Sequence, residues 1–273
     1  MQHRYLEVDV FSTGPFTGNP VAVIADADEL SEDQMRAIAH WTNLSETTFL
    51  IAPTTDEADY RVRIFTPSTE FPFAGHPTLG TARAWLELGG RPRTAGQVVQ
   101  ECGAGLVQVR LCDQELSFAT PPRTRTGELD EEDVERLVEA LGLRREDVLA
   151  HAWGVNGPAW QLFQLRDADL VRFVRPGRLW EGAHIGLVGL ETGEGENLLE
   201  VRGLTEHFED PVTGSLNGAF AQWLRERGLV PAHYVAHQGS QVRRAGRVRI
   251  EDDGCQIWVG GSAEVRVRGE LVS

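Results

Sequence analysis

Two short segments place polar side chains where a helix begins. In Gly75-His76-Pro77-Thr78, Pro77 suits the first helical position, where its missing N–H would have no partner anyway. That puts His76 at or beside the N-cap, with Gly75 letting the backbone approach whatever lies in front. Asp210-Pro211-Val212-Thr213-Gly214-Ser215 opens a second helix, with Ser215 as a natural N-cap. A helix start offers free N–H groups and partial positive charge, so it attracts a carboxylate. Each residue also has a plainer reading. Local pattern alone favours His76 as a turn or cap residue, Asp210 before Pro211 as a turn former, and Ser215 as a cap only. Glu46, in Asn43-Leu44-Ser45-Glu46-Thr47-Thr48, stands at a strand entrance, where most glutamates are solvated. Joint placement favours chemistry, because two polar helix starts at corresponding places in a repeated unit can face each other across a cleft.

Composition narrows the chemistry. Among 273 residues, Asp and Glu number 41 against 26 basic residues, giving a net charge of −15. Such a chain repels phosphate backbones and anionic lipid, so neither nucleic acid nor a membrane is the expected partner. Every basic residue is Arg; with no Lys, a Schiff-base lysine and a Walker-type phosphate loop are both excluded. The three cysteines, Cys102, Cys112 and Cys255, form no CxxC pair and read as small apolar fillers in a reducing compartment. The start shows no apolar leader, and no run of 18 apolar residues occurs, so the expectation is a soluble cytoplasmic protein. Gly103-Ala104-Gly105 lacks the third glycine of a dinucleotide loop and leads into a strand. His233 and His237 have helical ligand spacing, but Tyr234-Val235-Ala236 favours a strand and no carboxylate accompanies them in sequence, so no metal site is expected.

The elements that would position these residues come in two copies. An offset of 138 pairs Gly80 with Gly218, Trp85 with Trp223, Leu86 with Leu224, Gly90 with Gly228 and Pro20 with Pro158. Helices are expected over 31–40, with a capping box from Ser31 to Gln34, and over 131–141, between Asp130 and Gly142. Two more are expected over 77–88 and 216–225, with Leu79, Ala82, Trp85 and Leu86, and Phe220, Trp223 and Leu224, on their apolar faces. Alternating or β-branched runs predict strands over 6–11, 21–25, 48–52, 60–65, 98–100, 106–111, 160–165, 248–251 and 264–267. Thr120-Pro121-Pro122-Arg123-Thr124 reads as the linker, Glu191–Glu196 as an exposed acidic loop, and Arg243, Arg244, Arg247 and Arg249 as a solvated hairpin face.

Several blocks together resemble the PhzF family of phenazine-biosynthesis isomerase-like proteins. They are Thr17-Gly18-Asn19-Pro20-Val21-Ala22-Val23, Asn43-Leu44-Ser45-Glu46-Thr47, Arg63-Ile64-Phe65-Thr66-Pro67, Phe73-Ala74-Gly75-His76-Pro77-Thr78-Leu79-Gly80 and Glu209-Asp210-Pro211-Val212-Thr213-Gly214-Ser215, continuing to Gln238-Gly239. The resemblance implies a diaminopimelate-epimerase-like α/β (α+β) fold. Two pseudo-symmetric domains, 1–120 and 121–262, each wrap a curved, mostly antiparallel sheet around a central helix. The last strand, 263–273, returns to the first domain, and the active site lies in the cleft between the two. It further implies proton transfer by Glu46 and substrate binding by Asn19, Gly75, His76, Asp210, Gly214 and Ser215. No cofactor or metal is implied; the substrate is a small carboxylate such as trans-2,3-dihydro-3-hydroxyanthranilate, and the protein is a homodimer. The related epimerases use two cysteines at these helix starts, where this chain has none, so two-thiol racemisation is disfavoured. An epimerase working through Glu46, and a protein that binds a small carboxylate without turning it over, stay open.

Overall fold

The computed structural model describes residues 1–112, 115–193 and 195–273. It divides into two compact units, Met1–Ala119 with Gly260–Ser273, and Thr120–Val259. Glu194 of the acidic run lies outside the described residues.

The first unit contains β1 (Gln2–Val10), β2 (Asn19–Ile24), α1 (Glu32–Thr42), β3 (Thr47–Ile51), β4 (Tyr60–Phe65), β5 (Glu70–Phe71), α2 (Gly75–Glu87), β6 (Gln97–Cys102), β7 (Gly105–Cys112) and β8 (Glu115–Ala119). Its strands run β1-β2-β3-β4-β6-β7-β8; β2/β3 and β4/β6 are parallel, and the β1/β2, β3/β4, β6/β7 and β7/β8 pairs are antiparallel. The final strand β16 (Ile257–Val272) pairs with β1 and with β8, closing the strands around α2. That helix touches β1, β2, β3, β4, β6, β7 and β8. Its first eight residues, Gly75 to Ala82, are all buried. A helix enclosed on every side needs small residues where strands come close. At Gly80 an added Cβ would lie 2.2 Å from Val21 Cγ1.

The second unit contains α3 (Glu131–Leu141), β9 (Val148–Val155), β10 (Ala159–Leu165), α4 (Ala168–Phe173), β11 (His184–Leu190), β12 (Asn197–Thr205), β13 (Glu209–Asp210), α5 (Gly214–Glu226), β14 (His233–Gln238) and β15 (Gly246–Asp252). Strand order is β15-β14-β12-β11-β10-β9, with β12/β14 and β10/β11 parallel. Helix α5 is likewise buried continuously from Gly214 to Ala221. The amphipathic α3 packs Val134, Leu137 and Leu141 against Phe163, Leu165, Ile185 and Leu187.

The duplication is visible bond by bond, at a register of 139 rather than 138. Arg63 grips Glu70 with two hydrogen bonds of 2.7 Å, and Arg202 grips Glu209 with bonds of 3.0 and 2.7 Å. The Thr66 and Thr205 hydroxyls donate to the carbonyls of Thr69 and Phe208. Both central helices end on a glycine of positive φ, Gly89 and Gly228. Gly80 therefore corresponds to Ala219 and Trp85 to Leu224; the Trp85/Trp223 match in sequence is one position out of step.

Other expectations shift for physical reasons. Helices α2 and α5 begin at Gly75 and Gly214, so His76 and Ser215 are second helical residues, Pro77 is the third, and the N-caps are Ala74 and Thr213. Their first turns are buried all round, not along one stripe. Cys112 and Cys255 are exposed, so only Cys102 is an interior filler. His237 does have a carboxylate partner, contributed by β12: Glu200 Oε2 lies 2.8 Å from its Nδ1.

Candidate active site

Glu46 is the last residue before β3. Parallel pairing of Ala22 with Thr47 brings it level with the Asn19–Val21 segment of β2. Asp9 braces the loop leading into that segment, its carboxylate accepting from the amides of Thr17 and Gly18 at 3.2 and 2.9 Å. Gly18 has no room for a side chain there; a Cβ would stand 2.1 Å from the Val10 carbonyl oxygen. Burial pushes the Asp9 carboxyl above its ordinary range, partly opposed by those amides and by Arg266. In the helix that follows, Thr81 donates to Thr48 at 2.9 Å and Gln100 donates to Thr78 at 2.9 Å, pinning α2 to its surrounding strands.

This framework brings Asn19, Glu46, Gly75 and His76 together in the first unit. Glu46 Oε2 lies 3.4 Å from His76 Nε2, with side chains only 13% and 5% exposed. The Asn19 amide is 3.5 Å from His76 Nδ1. Burial drives the His76 pKa down to about 3, against a hydrogen bond to the Pro20 carbonyl that raises it. The ring is neutral at pH 7. A carbonyl can only accept, so the ring donates to Pro20 through a protonated nitrogen. Nε2 faces the Glu46 carboxyl, close enough for the two groups to share a proton.

The second unit arranges Asp210, Gly214 and Ser215. Trp160 Nε1 donates to Ser215 Oγ at 3.1 Å, and Asn156 donates to the Ser215 carbonyl at 2.8 Å. An indole N–H is donor only, so Ser215 accepts there and keeps its own O–H to donate elsewhere. Thr213 is the N-cap residue, yet its side chain does not cap α5; neither does Ala74 cap α2. A capping side chain contributes about 1 kcal/mol, so two central helices forgo it and leave their first N–H groups available. Ser31 caps α1 and Asp167 caps α4, while Asp130 at the start of α3 makes no side-chain cap either. An uncapped, positively polarised helix start beside a donating hydroxyl fits a carboxylate.

Among the described residues, no group of three or more His, Cys, Asp or Glu side chains is arranged to hold a metal ion. No helix among them is long and apolar enough to cross a membrane.

A family model described as phenazine biosynthesis-like protein, PhzC-PhzF, matches residues 8–273. The chain belongs to the PhzF family. It is 33% identical over 295 residues to antisense-enhancing sequence 1 of Schizosaccharomyces pombe, covering 98% of each chain. Over 82 residues, 30% of this chain and 29% of the other, it is 55% identical to the trans-2,3-dihydro-3-hydroxyanthranilate isomerase of Pseudomonas aeruginosa. The fold matches a crystal structure of a PhzF-family protein from Bacillus anthracis with a TM-score of 0.84, at 24% identity and full coverage of both chains. Several relatives are named isomerases, and this PhzF-family chain is an enzyme of that class.

Sequence reasoning passed over Asp9, Trp160, Thr213 and the side chain of Gln238. Asp9 and Trp160 lie within strands and read as strand residues. Their polar groups find partners only after folding.

Proposed function

We propose that this PhzF-family enzyme is a cofactor-independent isomerase that moves a proton through Glu46 on a small carboxylate. Trans-2,3-dihydro-3-hydroxyanthranilate, the compound in the name of the Pseudomonas relative, or an analogue of it, is the substrate class. The observation that carries the reading is the Glu46–His76 pair, a largely buried carboxyl 3.4 Å from a nitrogen of a neutral imidazole.

In this reading the amides around Gly75–His76 and around Gly214–Ser215, with the Ser215 hydroxyl, belong to the substrate-binding set. Asn19 and Asp210 complete the binding set. Glu46 takes the proton from C3; the C–H electron pair enters the ring system, and the carboxylate becomes a carboxylic acid. The neutral His76 imidazole beside it offers that carboxyl a hydrogen-bond partner. Glu46 returns the proton to another ring carbon. No electrons are gained or lost overall, so the step requires no redox partner. A cytoplasmic homodimer belongs to the same reading. Light scattering should return twice the 30.2 kDa chain mass, and a monomer would contradict that part.

The test is incubation of the protein with trans-2,3-dihydro-3-hydroxyanthranilate in D2O, followed by NMR. Product carrying one solvent deuteron supports the isomerase. Tight binding with neither product nor exchange would favour a carboxylate-binding protein. Inversion of the chiral centre without bond migration would favour an epimerase using Glu46.

A further inference from the structure

We propose that Thr213 is a positioning residue: its hydroxyl, oriented by Gln238, fixes the carboxylate of Asp210 for substrate binding. The proposal rests on the functional reading above for the role of Asp210.

The polarity of the network is forced by its backbone members. Gln238 is fully buried, and its Oε1 accepts from the Thr213 amide at 3.0 Å and from Asn217 Nδ2 at 2.8 Å. Its Nε2 therefore faces the acceptors, donating to the Asp210 carbonyl at 3.1 Å and to Thr213 Oγ1 at 2.9 Å. Because Oγ1 accepts from Gln238, its own proton is free to go to Asp210 Oδ2, 2.6 Å away. The direction runs one way, from Gln238 through Thr213 to Asp210, and it ends on the carboxylate as acceptor. Space is kept for the hydroxyl by Gly203, where an added Cβ would lie 2.8 Å from Thr213 Oγ1.

The internal repeat separates what the fold requires from what this relay adds. In the first unit the positions matching Asp210 and Thr213 are Phe71 and Ala74. There a glutamine, Gln100, donates instead to Thr78, inside the central helix at the position matching Asn217. The hairpin and the uncapped helix start thus form without either the carboxylate or the hydroxyl. Both polar groups appear together, and only in the second unit, so the pair serves something other than folding.

Crystal structures of Thr213→Val and Thr213→Ser, with steady-state kinetics on trans-2,3-dihydro-3-hydroxyanthranilate, test this directly. In T213V the Asp210 carboxylate should turn from its present position, and KM should rise about tenfold or more with kcat little changed. T213S should restore both the 2.6 Å contact and KM. If T213V does not fold, Gln238→Glu substitutes for it. A carboxylate at 238 cannot donate to Oγ1, so the Thr213 hydroxyl should turn toward residue 238 and leave Asp210. An unmoved Asp210 in T213V, or an unmoved Thr213 hydroxyl in Q238E, overturns the proposal. So does a T213V enzyme with wild-type KM. Should the wild-type protein not turn the compound over, the functional reading fails, and the crystal structures alone decide the positioning role.

Discussion

At the residue scale, the neutral His76 has a consequence for acid stability. Its folded pKa of about 3 lies below the ordinary 6.5, so between those values the unfolded chain binds a proton that the folded chain does not. Stability therefore falls as pH drops through this window. At pH 4 the loss attributable to His76 is roughly 3 kcal/mol, from 1.36 kcal/mol per unit. Urea unfolding at pH 7 and pH 4 should show a larger decrease for wild type than for His76→Gln by about that amount. Equal decreases would mean the imbalance lies elsewhere. Glu46, Asn19 and His76 were recognisable in sequence as candidates, but the proton arrangement was not. The ring's neutrality is set by burial, against a hydrogen bond to the Pro20 carbonyl, and local spacing reveals neither.

At the element scale, the central helices are constrained by how closely strands approach them. Gly80→Ala would place a methyl 2.2 Å from Val21 Cγ1 and 3.2 Å from Val10 Cγ2, both inside the core. Overpacking of this kind costs about 1–3 kcal/mol, which should exceed the roughly 1 kcal/mol that alanine gains as a helix former. Chemical denaturation of G80A should show a lower midpoint at an unchanged slope, whereas a more stable variant would mean that the strands yield. The strand of 60–65 and the helix of 131–141 were legible because their apolar spacing is regular and turn or cap signals bound them. β11 was not, because Gly186 and Gly189 interrupt its pattern. An added Cβ at Gly186 would lie 2.3 Å from Leu216 Cδ1, and one at Gly189 would lie 2.2 Å from the Asp167 carbonyl oxygen. The two-residue β5 and β13 are too short to carry any periodicity. The start of α2 was misjudged by two residues because Pro77, suited to the first helical position, is the third, and that of α5 because capping rules assume a hydroxyl near a helix start will cap it. Here Ser215 is engaged by Trp160, and Thr213 by Gln238 and Asp210.

At the scale of the whole molecule, one unit appears twice, and the repeats differ where chemistry is proposed. Paired Arg–Glu clamps, threonine turns and positive-φ glycines recur at the 139-residue register, so they belong to the fold. His76 and Ser215 occupy matching second positions of the two central helices, yet differ in chemistry: one is a neutral imidazole, the other a hydroxyl. Duplication was detectable from sequence, but its register was not. One coincidental tryptophan match outweighed hydrogen bonds that only folding creates.

The central claim is that the carboxyl of Glu46 carries the transferred proton. Solvent deuterium incorporation into trans-2,3-dihydro-3-hydroxyanthranilate, measured by NMR alongside calorimetric binding for wild type and Glu46→Gln, tests it most directly. The amide is nearly isosteric and can neither take nor return the proton. Deuterium incorporation should therefore vanish in E46Q while the compound still binds. Incorporation at the wild-type rate in E46Q would contradict the account.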